Sequence, residues 1–200
     1  MKLIVKIASM CLFLALLSTT SNAQIGIRAG INASNLSVKD FDERKTRWGF
    51  HAGIYTERLL ANSLYLSPEL SFTTKGSSVK YNSGKTTNSF NLNYIELALP
   101  FTYKLNGVDL QAGPYLAYLA NANAKIQNES TLIITQLDKS NYNNFDAGLL
   151  FGLNFKLSNN LYLGARYGVG LVNIARTNTA RASLGDARNS VGQVSLSFKL

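Results

Sequence analysis

The chain has 200 residues, with 20 basic and 11 acidic side chains, one cysteine and one histidine. Its formal charge of +9 would suit a nucleic-acid partner, but no lysine- or arginine-dense tract accompanies the charge, so we exclude nucleic acid. With one histidine and one cysteine, no pair of them has the spacing of metal ligands, and we expect neither a transition-metal site nor another cofactor.

The first 23 residues predict a secretory signal peptide. A basic start, MKLIVK, precedes the apolar run IASMCLFLALL and a small-residue stretch that ends at Ala23. The apolar run is too short to span a bilayer comfortably, which argues against a membrane anchor. A lipidated cysteine would lie at the cleavage point, whereas Cys11 lies inside the apolar run. We therefore expect cleavage before Gln24 and a single domain over residues 24–200.

Eight stretches of this domain alternate between apolar side chains and polar or small ones with a period of two, which is typical of β-strands. No stretch after residue 23 has a sustained apolar period near 3.6, so we predict no further long helix. In chain order the predicted strands cover residues 25–36, 47–59, 63–73, 93–105, 108–120, 144–157, 161–172 and 192–200.

The two faces of these strands predict which medium each one meets. In the sixth strand, one face carries Phe145, Leu149 and Phe151, and the other carries Asp146 and Asn154. Across the strands the polar face is crowded with Gly, Ser, Ala and Asn, which fit the narrow interior of an eight-stranded barrel. The other face is bulky and apolar, as lipid requires. A soluble barrel or sandwich, with its apolar face inward, is the alternative.

The connections alternate between short turns, such as Asn106-Gly107, and long polar spacers. The sequence thus predicts an all-β fold: an eight-stranded antiparallel up-and-down transmembrane β-barrel with short periplasmic turns and long extracellular loops. Aromatic residues recur near the ends of the apolar face, as in the girdles of such barrels: Trp48, Phe72, Tyr103, Tyr118, Phe145, Phe155 and Phe198.

All three prolines fall within predicted strands, where the missing N–H interrupts the hydrogen-bond ladder. A closed barrel has no edge strand to hold them. We therefore expect local bulges or register shifts at Pro68, Pro100 and Pro114, which would also disturb the alternation in the fourth strand.

Four segments resemble the PorT-like outer-membrane β-barrel family, which is common in Bacteroidetes: IGIRAGINASNLS, NYIELALPFTYKL, LQAGPYLAYL and FDAGLLFGLNFKL. The resemblance covers essentially the whole chain after the signal, and Pro100 and Pro114 fall where that family often has proline. It implies an eight-stranded barrel in the outer membrane with no shared chemistry. One branch of the family is linked to protein secretion, so an envelope or secretion protein is a candidate partner.

The inward face carries charges that must pair, because a buried unpaired charge costs several kcal/mol. We expect a network around Arg28 and Arg166, with three lysines nearer the periplasmic rim. The network would fill the lumen as a plug; a gated ion path is the alternative. The predicted members are Arg28, Glu69, Glu96, Asp109, Asp146 and Arg166, and the rim lysines are Lys104, Lys156 and Lys199.

The long spacers carry much of the excess positive charge, either as ordinary solvated loops or as contacts to lipopolysaccharide phosphates. The candidate contacts are Lys75, Lys80, Lys85, Arg176, Arg181 and Arg188.

The sequence favours a non-enzymatic outer-membrane protein with a structural, binding or assembly role. A narrow channel for small solutes is an alternative. A lipid-modifying enzyme is a third possibility, which would need a polar triad around His51, but no GxSxG or similar spacing singles out a nucleophile.

Overall fold

The computed structural model describes residues 24–37, 46–81, 86–127, 132–178 and 186–200, and the predicted signal peptide lies outside these ranges. Among these residues, no helix is long and apolar enough to cross a membrane. One short 3-10 turn spans Lys139–Asn141. The strands are β1 (Gln24–Ser37), β2 (Arg47–Ala61), β3 (Leu64–Leu66), β4 (Glu69–Tyr81), β5 (Thr86–Ala98), β6 (Phe101–Lys104), β7 (Val108–Gln127), β8 (Leu132–Gln136), β9 (Phe145–Lys156), β10 (Leu161–Gly170) and β11 (Arg188–Lys199).

The sheet closes on itself because β1 pairs with both β11 and β2. The order around the ring is β1, β11, β10, β9, β7, β5, β4, β2, and every pairing is antiparallel. β3 extends the position of β4, and β6 extends the position of β5, so the wall has eight strand positions. The predicted eight-stranded up-and-down barrel is confirmed.

The outer surface of the barrel is apolar and its interior is polar. Phe151, Leu163 and Leu196 point outward and are 51%, 38% and 52% exposed, whereas Arg28 and Arg166 point inward and are 3% and 7% exposed. Exposed bulky apolar side chains over a whole surface suit a lipid environment. The predicted assignment of the two faces is therefore confirmed, and all seven aromatic residues of the predicted girdles are exposed on the outer face.

The two rims of the barrel differ. Residues 62–63, 105–107 and 157–160 make tight connections at one rim, which we call the short-turn end. Asn62 and Gly107 have positive φ there, at 43° and 86°, as such turns require. Leu200 N donates to Ile25 O across this rim at 2.9 Å, so both ends of the described chain lie here. In outer-membrane barrels the short turns face the periplasm.

The opposite rim, the loop end, is taller than the sequence predicted. β4 continues to Tyr81 and β5 begins at Thr86, so most of residues 73–89 form a hairpin rather than an irregular spacer. β8 adds to the outer part of β7. Between the hairpins an apolar cluster packs on the segment around Ile174, whose carbonyl accepts from Asn143 N at 2.9 Å. The segment around Ile174 is therefore packed against the wall at the loop end.

The expectation of register shifts at the prolines is wrong. Tyr55 pairs with Glu69 on one side of Pro68 and Arg58 pairs with Leu66 on the other, which is one continuous register. The register also continues past Pro100, which separates β5 from β6, and through Pro114 inside β7.

Each proline lacks an N–H donor, but its carbonyl still accepts a hydrogen bond from the neighbouring strand. The carbonyls of Pro68, Pro100 and Pro114 accept from Thr56, Ser67 and Leu99 N–H, each at 2.9 Å. The alternation around the fourth predicted strand therefore holds. The bulges lie elsewhere, between Asn93 and Tyr94 and between Leu59 and Ala61.

We expect Phe151→Arg to destabilise the barrel by about 2–4 kcal/mol, because Phe151 lies mid-strand on the lipid face. Leu157→Arg is the matched control, since Leu157 is equally exposed but lies in a turn at the short-turn end, and should cost about 0–1 kcal/mol. Urea unfolding in lipid vesicles measures both, and equal costs would contradict the assigned membrane position.

Candidate functional site: the ionic lumen

Glu69 is the central charged residue of the lumen. Its Oε2 atom accepts from Arg166 Nη1 at 2.7 Å and lies 3.3 Å from Arg28 Nε, and all three side chains are buried. Glu69 is on β4 and Arg166 is on β10, with three strand positions between them in either direction around the ring. This ion pair therefore crosses the full diameter of the lumen.

Neutral side chains complete the central cluster. Arg166 Nε and Nη2 donate to Gln111 Oε1 at 2.9 and 2.7 Å, and Gln111 Nε2 donates to Thr102 Oγ1 at 3.0 Å. Arg28 Nη1 donates to Asn154 Oδ1 at 3.4 Å. The guanidinium groups are therefore held from several strands at once, which fixes their direction across the lumen.

A second cluster lies toward the loop end. Lys75 Nζ is 2.7 Å from Glu96 Oε2 and 3.1 Å from Asp146 Oδ2. The same ammonium lies 4.2 Å from the ring centre of Tyr115 and 5.3 Å from that of Tyr94. Two carboxylates face one ammonium here, so the cluster is formally negative.

A third cluster lies near the short-turn end and centres on Glu57. Its Oε2 accepts from Lys199 Nζ at 2.8 Å and from Lys104 Nζ. Lys104 Nζ is 4.0 Å from the ring centre of Tyr65, and Lys199 Nζ is 4.4 Å from that of Tyr162. Cation–π contacts thus support both lysines at the periplasmic side of the lumen.

Two glycines make room for the aromatic rings inside the lumen. Gly26 pairs with Tyr55 and Gly148 pairs with Tyr115 on neighbouring strands. A Cβ atom at Gly26 would lie 2.4 Å from the Tyr55 ring, and one at Gly148 would lie 2.7 Å from the Tyr115 ring. Each tyrosine therefore lies over a glycine, where it can face a lumen cation; Arg28 is 5.2 Å from the Tyr55 ring centre.

His51 belongs to a polar layer of the lumen. Its Nδ1 is 2.7 Å from Asn32 Oδ1, and Asn32 Nδ2 donates to Phe50 O, Thr73 Oγ1 and Thr74 O, each at 3.0 Å. The three acceptors around Asn32 Nδ2 assign the amide orientation, so the atom that faces His51 is the oxygen Oδ1. An amide oxygen can only accept, and Nδ1 of His51 is therefore the donor. Nε2 makes no hydrogen bond to the described residues, so no nucleophile among them is paired with it.

The profile of one protein family, described as outer membrane protein beta-barrel domain, matches residues 17–176. The chain belongs to this family. No curated protein sequence matches it.

Solved structures share the fold. Neisserial surface protein A (NspA) is 16% identical at a TM-score of 0.56, over 90% of this chain and 100% of that one. Ail of Yersinia pestis, solved with the heparin analogue sucrose octasulfate, is 14% identical at a TM-score of 0.51, over 90% of this chain and 99% of that one. At these identities the likeness concerns the fold alone.

This outer-membrane barrel brings only some of the predicted lumen residues together. Arg28, Glu69 and Arg166 form one cluster, whereas Glu96 and Asp146 bind Lys75 in another. Asp109 is buried at the short-turn side and has no ion pair within the described residues. The inward charges thus form separate layers rather than one network around the two arginines.

The prediction that Lys75 contacts lipopolysaccharide is wrong. β4 continues past the predicted strand end at Thr73, so Lys75 points into the lumen with the parity of Glu69 and is buried. Arg176 and Arg188 are exposed at the loop end, as such contacts would require. Lys85, Arg181 and the side chain of Lys80 lie outside the described part of the chain.

Sequence reasoning missed Glu57, although the signal was present. Residues separated by an even number in a strand point to the same side, so Glu57 points inward like Tyr55. The same rule, applied along β4 from Glu69, predicts that Lys75 points inward.

One carboxyl outside the membrane-spanning part has a shifted pKa. Asp138 Oδ1 accepts from Ser140 N at 2.9 Å, which lowers the pKa of this carboxyl.

We expect Glu69→Gln to destabilise the protein by about 3–5 kcal/mol, because two buried guanidinium groups would lose their counter-charge. Asp109→Asn is the matched control, since it neutralises another lumen carboxylate that has no ion pair among the described residues, and should cost less than about 1 kcal/mol. Urea unfolding in detergent micelles measures both, and similar costs for the two variants would show that Glu69 has no special role.

Proposed function

We propose that the protein is a closed outer-membrane barrel with a structural, binding or envelope-assembly role, whose lumen is plugged by its own side chains. The observation that carries the proposal is the Arg166–Glu69 ion pair, which joins opposite walls at 2.7 Å. A solute would have to break this pair and displace Arg28 as well, leaving charges unpaired in a region of low dielectric constant.

A narrow channel is the second candidate. The polar lumen and its buried polar atoms without described partners, such as Ser195 Oγ and Ser197 Oγ, favour it because they could bind water along a path. Three ionic clusters stacked between the short-turn end and the loop end argue against it. A lipid-modifying enzyme is the weakest candidate, because His51 is buried in the lumen, away from the lipid face.

The proposed working surface is the loop end. There the long hairpins and the exposed Arg176 and Arg188 face the cell exterior, given the usual orientation of such barrels. Lipopolysaccharide phosphates are one proposed ligand of these arginines. The sequence resemblance to PorT-like barrels supports a further proposal, that an envelope or secretion protein binds this barrel.

In planar bilayers we expect the wild-type protein to give no steady conductance. Replacing Glu57, Lys199, Glu69, Arg166, Lys75 and Asp146 by Ala removes a cation and a carboxylate from each of the three stacked clusters and should give measurable current steps, which shows that the assay detects an open lumen. A difference in gel migration between unheated and heated samples verifies that both proteins are folded. Large, steady wild-type currents would refute the plug and favour the channel.

Replacing Arg176 and Arg188 by Gln should weaken lipopolysaccharide binding at least severalfold, because both exposed cations are removed from the loop end. Lys156→Gln is the control, since Lys156 is an exposed cation at the short-turn end. Mass spectrometry of lipid retained by the purified protein measures the effect. Unchanged retention in the double variant would remove lipopolysaccharide from the proposal.

A further inference from the structure

We propose that the lumen contains a binding site for a primary alkylammonium group, and that Lys75 of the same chain occupies it. The site, which we call the ammonium cage, consists of Tyr94, Glu96, Tyr115, Asp146 and Asn189. It goes beyond the proposed role as a closed barrel, because it assigns a ligand class to one layer of the interior.

The contacts of Lys75 are those expected of a bound ammonium ligand. Its Nζ atom lies 2.7 Å from Glu96 Oε2 and 3.1 Å from Asp146 Oδ2, so both carboxylates share one cation. The rings of Tyr115 and Tyr94, with centres at 4.2 and 5.3 Å, add the negative faces of two aromatic systems. All of these side chains are almost completely buried.

Hydrogen bonds that do not involve Lys75 link four of the five cage residues, Tyr94, Tyr115, Asp146 and Asn189. Asp146 Oδ2 accepts from Asn189 Nδ2 at 2.8 Å and from Tyr115 Oη at 3.2 Å, and Asn189 Nδ2 lies 3.4 Å from Tyr94 Oη. These residues come from β5, β7, β9 and β11, whereas Lys75 enters from β4. The barrel wall therefore holds these four side chains in place, and Lys75 brings its ammonium between Asp146 and Glu96 from a separate strand.

The chemistry of the cage selects a linear primary amine. The cage carries two carboxylates and no cation of its own, so one ammonium leaves it with an excess negative charge. Asp146 Oδ1 and Asn189 Oδ1 are also buried and accept no hydrogen bond from the described residues. A primary ammonium offers three N–H donors on a slim alkyl stem, whereas a quaternary ammonium offers none.

Chemical rescue tests the site in the full-length protein. Lys75→Ala removes three methylene groups and the ammonium, which n-propylammonium replaces. We expect the variant to unfold at lower urea concentration than the wild type in detergent micelles, and n-propylammonium to raise its midpoint with increasing concentration. At ten times the dissociation constant, the ratio of folded to unfolded variant should rise about elevenfold.

The controls separate cage binding from general solvent effects. n-Propanol and tetramethylammonium should not rescue Lys75→Ala, n-propylammonium should not stabilise the wild type, and Lys75→Ala combined with Asp146→Asn should lose the rescue. If Lys75→Ala does not fold alone, its refolding yield with n-propylammonium against n-propanol replaces the midpoint. Equal effects of the amine and the alcohol, or equal effects of the amine on variant and wild type, would overturn the proposal.

Discussion

Hydrocarbon cannot hydrogen-bond to a peptide group, and this constraint determines the architecture of the protein. A sheet in lipid must close so that no strand edge stays unpaired, and here the pairing of β1 with both β2 and β11 achieves closure. Closure with eight strand positions leaves a narrow interior. Gly26 and Gly148 leave room in that interior for the rings of Tyr55 and Tyr115.

The same constraint explains the charge distribution of the lumen. Among the described residues, the ion-paired carboxylates of the lumen all find their cations on other strands, as Glu69 does with Arg28 and Arg166 and Asp146 does with Lys75. The cations in these pairs are Arg28, Lys75, Lys104, Arg166 and Lys199, and the carboxylates are Glu57, Glu69, Glu96 and Asp146.

The sequence predicts the faces of the strands because a period of two is a local property, visible in any stretch of about ten residues. It does not predict where a strand ends when polar residues continue the alternation, as they do from Thr73 to Lys75. For this reason Lys75 was assigned to a long loop, although it lies in β4 and points into the lumen. Ion partners such as Arg166 and Glu69, 97 residues apart, depend on strand positions around the ring, which alternation alone does not specify. The expected register shifts at the prolines do not occur, because each proline carbonyl still accepts a hydrogen bond across the sheet.

An even number of strand positions brings the chain back to the rim from which it started. The hydrogen bond between Leu200 N and Ile25 O joins the two ends there. An affinity tag inserted directly before Gln24 or directly after Leu200 would therefore lie at the short-turn end, which is the periplasmic side in the usual orientation of such barrels. Display of a foreign epitope on the living cell would instead require insertion at the far rim, such as between the end of β4 at Tyr81 and the start of β5 at Thr86.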